Sequence, residues 1–192
     1  DPKIAEEAFK SLVNSRSFEL VTIKKGKTNR KPSPPFTTDT LLQSSSSSLG
    51  WSMSKTSKIA SDLYNKGYIT YIRTDSTRTS SGARDAAKEI ILEKYGEDYL
   101  GPGALGSDAK KAATNVQDAH EAIRPTDPKL VEPSDVEIDY VRLYRLIRSR
   151  FLSSQMSVSV RERRELTASV SASELLISGT ASWRIHAGWE AE

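Results

Sequence analysis

The sequence contains no cysteine among its 192 residues. Disulfides, thiolate nucleophiles and cysteine-type zinc sites are therefore excluded within it. No apolar run approaches the roughly 20 residues that span a bilayer, and the opening residues show no signal-peptide pattern. A soluble, cytoplasmic protein with no membrane partner is the expectation. Hydrophobic residues make up 36%, against 28% charged, which is lean for one compact domain and predicts a folded chain with much surface. The chain opens on Asp1-Pro2 rather than on Met, as an internal piece of a longer protein would.

Net charge is only +3, but it is unevenly placed. Lys24, Lys25, Lys27, Arg30 and Lys31 fall in a stretch without an acid, and Arg142, Arg145, Arg148, Arg150, Arg161, Arg163 and Arg164 form a second basic zone. Local basic surface attracts phosphate backbones even at small net charge. Any one such run is more often a solvated face.

Pro2 suits a first helical turn, after which Ile4, Ala8, Leu12 and Ala5, Phe9, Val13 recur at helical spacing. Residues 18–23 are rich in strand formers, and residues 24–35 read as a basic, proline-containing linker. Thr37 or Thr38 can cap a helix through Leu41 and Leu42, and Ser52 or Ser54 another, which Gly67 stops. A short strand-like run over 68–72 follows, then a helix opened by Ser80 or Ser81 and closed by Gly96. Residues 101–115 read as a flexible loop. Ser134 and Glu137 form a capping box opening an amphipathic helix along Val136, Tyr140, Leu143, Ile147 and Phe151. Beyond Gln155 the period becomes two: Met156, Val158, Val160, then Leu166, Ala168, Val170, with further strands at 175–177 and 183–185. The predicted class is α+β. A mainly helical domain (36–155) is inserted into a β-leaning unit made from 1–35 and 156–192, whose ends pair.

The candidate chemistry lies in two runs. In Gly67-Tyr68-Ile69-Thr70-Tyr71-Ile72-Arg73-Thr74-Asp75-Ser76, the Tyr71 hydroxyl is a nucleophile once a cation lowers its pKa from about 10 and offsets charge building on phosphate. In an extended segment, residues two apart share a face, so Tyr71 and Arg73 can address one phosphate. Thr70, Thr74, Asp75 and Ser76 add short polar groups that bind phosphate oxygens or fix Arg73. By residue type alone, a tyrosine in a short strand is more often packing. The second run is Gln117-Asp118-Ala119-His120-Glu121-Ala122-Ile123-Arg124-Pro125-Thr126-Asp127. His120 can donate to phosphate or move a proton near neutral pH, and Arg124 can hold phosphate bidentately. His186, the other histidine, has no such company and reads as structural.

These runs carry a resemblance. Residues 67–76 closely resemble the active-site tyrosine motif of type IA DNA topoisomerases, the bacterial enzymes in particular. Residues 119–127 resemble a second signature of that family. Pro35-Phe36-Thr37-Thr38-Asp39-Thr40-Leu41-Leu42-Gln43 resembles a third. The resemblance implies that Tyr71 attacks one strand of negatively supercoiled DNA, forming a 5′-phosphotyrosine and freeing a 3′-hydroxyl, with strand passage and ATP-independent resealing. It implies that Arg73 stabilises the attacked phosphate, that His120 sits near it, and that Thr70, Asp75 and Arg124 lie in a second tier. The family also uses magnesium, bound by an Asp-x-Asp-x-Glu pattern that this sequence lacks. Asp135-Val136-Glu137-Ile138-Asp139 has another order and reads as first-turn acids of a helix. The metal ligands, and the metal-binding and gate domains, are thus expected outside this chain. The chain itself is expected to match the tyrosine-bearing domain plus part of a β-rich arch, to bind no metal, and to be inactive in relaxation alone. A tyrosine recombinase or type IB enzyme, or a non-catalytic module for single-stranded DNA, would also use such residues. The first two differ in linking to a 3′ phosphate.

Overall fold

Thirteen residues from Phe18 to Arg30 run as one strand, β1, although the sequence reads as strand only to Ile23. The basic stretch that was expected to be linker continues the strand as far as Arg30, because Lys and Arg stems tolerate a strand whose residues are all exposed. The computed structural model describes residues 1–15, 17–103, 120–170 and 175–192. Their contacts divide the chain into two units. One comprises Asp1–Arg30 and Val160–His186; the other comprises Lys31–Ser159 and Ala187–Glu192.

The first unit holds helix α1 (Pro2–Asn14) and a sheet of order β1-β2-β3, with β2 at Ser159–Val170 and β3 at Leu176–His186. Asp1 caps α1 by accepting from the Lys3 amide at 2.9 Å. None of the α1 residues is buried, so the apolar spacing of Ile4, Phe9 and Val13 faces outward among the described residues. The expected four short strands after Gln155 are two long ones, β2 and β3. They pair antiparallel, with Arg161 opposite Arg184, Glu162 opposite Trp183 and Ala168 opposite Ile177. Arg164 lies over the Trp183 ring at 5.2 Å and bonds Glu162, which joins the two strands on one face.

The second unit is helical: α2 (Thr38–Leu49), α3 (Met53–Asn65), α4 (Ser81–Lys94) and α5 (Ile138–Ser154). Thr37 and Thr40 close a capping box at the start of α2. Ser52 caps α3 and Ser80 caps α4. Leu41, Ile59, Leu63, Leu143 and Ile147 from α2, α3 and α5 enclose Phe36, Ile69 and Ile123 from the irregular segments. Ala83 and Ala87 of α4 meet Phe151 and Leu152 of α5 in a second cluster. The expected capping box at Ser134 does not form. Helix α5 starts only at Ile138, and its N-cap Glu137 makes no side-chain cap bond. Asp135 takes a left-handed backbone, φ 56°, which interrupts any helix begun at Ser134. Gly101, expected at the head of a flexible loop, is buried and donates to the Gln155 carbonyl at 2.9 Å. The rest of that loop from 104 onward, with Gln117, Asp118 and Ala119, lies outside the described residues.

Candidate active site

The site begins at the end of α3. Gly67 takes φ 79°, and the Tyr68 and Gly67 amides donate to the Leu63 and Tyr64 carbonyls, which stops the helix and turns the chain sharply. The residues that follow form less strand than their composition suggests: only Ile69 bridges, to Pro125. Two backbone bonds make that bridge. The Thr70 amide donates to the Arg124 carbonyl at 2.9 Å and the Thr126 amide to Tyr68 at 3.1 Å. Phe36 bridges Ile123, and the Ala122 amide donates to Arg78. All three sequence motifs therefore meet on one short segment, 122–126.

Exposure alternates with period two from Thr70 to Ser76. Tyr71, Arg73 and Asp75 are exposed, whereas Thr74 and Ser76 are buried and Thr70 and Ile72 half-buried. An extended backbone dictates this alternation, and it sorts the candidate residues into two sets. The inward hydroxyls are spent on backbone. Thr70 Oγ1 donates to Ala122 O at 2.7 Å and accepts from the Arg124 amide at 3.0 Å. Thr74 Oγ1 accepts from the Ser76 amide and Ser76 Oγ from the Arg78 amide, making consecutive hydroxyl turns.

The outward set is open. Tyr71 is 44% exposed, its hydroxyl makes no hydrogen bond with a described residue, and its ring meets Tyr64 edge-on at 5.2 Å and 65°. Arg73 forms no hydrogen bond or ion pair with a described residue. Thr70, Tyr71, Thr74, His120 and Glu121 line one cleft of about 250 Å³, so the nucleophile candidate and the histidine, distant in sequence, share a wall. Arg73 and Asp75 are not among its lining residues. Arg124 is held by groups of the protein. Its Nε donates to Glu121 at 3.0 Å, Nη1 to the Pro125 carbonyl at 2.8 Å and Nη2 to Ser80 Oγ at 3.3 Å. Its guanidinium thereby ties the His120 segment to the start of α4.

Glu121, Tyr64 and Thr38 join this neighbourhood without having been read from the sequence as site residues. Glu121 stands inside the second motif and Thr38 inside the third, so motif membership was an available signal. Tyr64 offered none, because its contact with Tyr71 is made by the turn at Gly67. Farther back, the Tyr144 hydroxyl donates to the Leu130 carbonyl at 2.9 Å and steadies the chain after Pro125. Burial pushes its phenol up to about 12.

The second basic zone is divided between the two units. Arg142 pairs with Asp139 at 3.7 Å, Arg145 with Glu132 and Arg148 with Glu192. Arg150 lies over the Phe36 ring at 4.3 Å, and burial lowers its pKa. Arg161, Arg163 and Arg164 belong to β2 in the other unit. Of the acids at 135–139, Asp139 is engaged a second time, 2.6 Å from Lys55. Among the described residues no three His, Asp or Glu side chains gather as a metal would need. No helix of the described residues is long and apolar enough to cross a membrane.

A family model described as DNA topoisomerase matches residues 1–191. The chain is 40% identical over 171 residues to DNA topoisomerase 1 of Fervidobacterium islandicum, covering 82% of this chain and 24% of that protein. It is 41% identical over 193 residues to DNA topoisomerase 1 of Helicobacter pylori, covering 93% and 25%. The structure of full-length topoisomerase I from Thermotoga maritima superposes with a TM-score of 0.78 at 34% identity, over 96% of this chain and 31% of that one. The chain thus spans about a quarter of the length of these curated relatives.

Proposed function

Since this chain belongs to the DNA topoisomerase family, we propose that it carries the strand-cleaving tyrosine of a type IA enzyme, Tyr71, within an active site that other parts of the protein complete. The observation that carries this reading is the shared cleft. Tyr71, exposed and with a hydroxyl that bonds no described residue, lines the same cleft as His120.

In this reading Tyr71 Oη attacks a backbone phosphorus of single-stranded, underwound DNA. The bond from phosphorus to the 3′ oxygen breaks, a 5′-phosphotyrosine forms, and the 3′ oxygen leaves as a hydroxyl. Arg73, exposed on the Tyr71 face, offsets charge on the phosphate. His120 donates to a phosphate oxygen or carries a proton across the cleft. Asp75, on the same outward face, would direct Arg73. Thr70 and Arg124, bonded to neighbouring groups of the protein, position the two stretches of chain, whereas the Thr74 and Ser76 hydroxyls, which accept from backbone amides, keep an O–H to offer phosphate. Resealing reverses the steps with the bond energy kept in the phosphotyrosine, so no ATP is needed. Magnesium would be held by an acidic set outside this chain. The sheet unit would be part of the arch that carries the tyrosine domain, and the enzyme would work on the chromosome in the cytoplasm. The isolated chain should bind single-stranded DNA weakly, with affinity falling as salt rises, and should not relax DNA.

The test combines this chain with the remaining portion of the enzyme and an end-labelled single-stranded oligonucleotide. A covalent adduct at the 5′ phosphate is expected, and none with Tyr71→Phe. An adduct at the 3′ phosphate, or one that persists without the Tyr71 hydroxyl, overturns the reading.

A further inference from the structure

Residues 35–43 form a motif that the chemistry above leaves without a task. Their Thr38 grips the tyrosine-bearing segment. Thr38 Oγ1 donates to the Ile72 carbonyl at 2.6 Å and accepts from the Thr74 amide at 2.9 Å. The Thr38 amide donates to the Thr74 carbonyl at 2.9 Å, and Oγ1 lies 3.0 Å from that same oxygen. The residue between these anchor points is Arg73.

We propose that Thr38 is a positioning residue for strand cleavage: its hydroxyl fixes the peptide units on both sides of Arg73 and so roots the guanidinium on the face of Tyr71. This rests on the reading of Tyr71 as nucleophile. Three features carry it. First, the Arg73 side chain has no hydrogen bond or ion pair with a described residue, so backbone alone sets where it starts. Second, Thr38 is the first residue of α2, whose start is locked by the Thr37–Thr40 capping box, so the grip is anchored to a rigid element. Third, the contact needs one group that donates and accepts at once, which a hydroxyl does and a methyl cannot. Thr38→Val keeps the shape and removes the bonds, leaving the Ile72 carbonyl and the Thr74 amide without this partner.

The experiment uses the complete enzyme, single-turnover cleavage of a labelled single-stranded oligonucleotide, and a separate binding titration of that oligonucleotide. Thr38→Val should slow cleavage by about 10- to 100-fold while DNA affinity stays within about 3-fold, and Thr38→Ser should restore cleavage to within about 3-fold of the parent. In an Arg73→Ala background, Thr38→Val should cost little more, because both act through one guanidinium. Full cleavage by Thr38→Val, no rescue by Ser, or an additive loss with Arg73→Ala each overturns the proposal. If Thr38→Val melts early, the Ser variant and its cycle with Arg73→Ala still decide: a large loss with Ser, additive to Arg73→Ala, counts against it. A Tyr71→Phe arm reports separately on the underlying reading, since cleavage surviving there refutes the nucleophile and not the grip.

Discussion

Thr70 Oγ1 donates to the carbonyl of Ala122, 52 residues away, at 2.7 Å. With the Arg124 amide donating back to the same oxygen at 3.0 Å, one hydroxyl stitches the Tyr71 segment to the His120 segment. Thr70→Val should therefore destabilise the helical unit by about 1–3 kcal/mol by leaving both backbone groups unpaired, whereas Thr70→Ser should cost less than about 1 kcal/mol. Urea denaturation of the three proteins measures this. Equal midpoints for Val and Ser would show that the stitch contributes nothing.

Ser45 sits fully buried in α2, and its hydroxyl has no partner among the described residues. A buried, unpaired hydroxyl opposes folding, and Ala is also the better helix former. Ser45→Ala is expected to raise the unfolding free energy by about 1 kcal/mol. A lower midpoint than the parent in chemical denaturation would mean the hydroxyl is satisfied after all.

Glycine positions separate sharply. A Cβ at Gly101 would stand 2.0 Å from the Met156 carbonyl oxygen, a backbone atom that cannot step aside. Gly101→Ala should cost roughly 2–4 kcal/mol, because the junction of the Leu100 bridge and the end of α5 must open. Gly82, in the first turn of α4, meets nothing within 4 Å. Gly82→Ala should leave stability unchanged or raise it by up to about 1 kcal/mol. Thermal melts of both variants check the contrast, and similar shifts for the two would contradict it.

Tyr144 links stability to pH. Its phenol titrates at about 12 in the fold, against about 10 in an unfolded chain. A raised acid favours the native state while it stays protonated. That contribution is complete below about pH 10 and is lost as pH climbs toward about 12, on the order of 3 kcal/mol in all. Tyr144→Phe removes this dependence. Urea unfolding at about pH 9 and about pH 11.5 should show the parent's advantage over the Phe variant shrinking with alkali. A constant difference between the two would sink the assignment.

The helices of the second unit were legible because their signals are local. Ser52, Ser80 and Thr37 cap where residue type says they should, and Gly67 and Gly96 stop helices by taking positive φ. The sheet was harder to read. Strand β1 runs through Lys24, Lys25 and Lys27, which composition marks as linker, because pairing with a neighbouring strand outweighs weak local preference. The false capping box at Ser134 failed for the opposite reason: the right residue types stood on a backbone that Asp135 turns away from helix.

The sequence by itself determined which residue types stand near the candidate nucleophile, and the period-two pattern that an extended chain imposes on Tyr71, Arg73 and Asp75. Only the tertiary structure decided which partners each meets there. It brought His120 to the wall that holds Tyr71, spent the Thr70, Thr74 and Ser76 hydroxyls on backbone, and committed Arg124 to Glu121 and Ser80. These choices depend on contacts between segments up to 54 residues apart. They follow from the need to pair every half-buried polar group, which no local window of sequence can express.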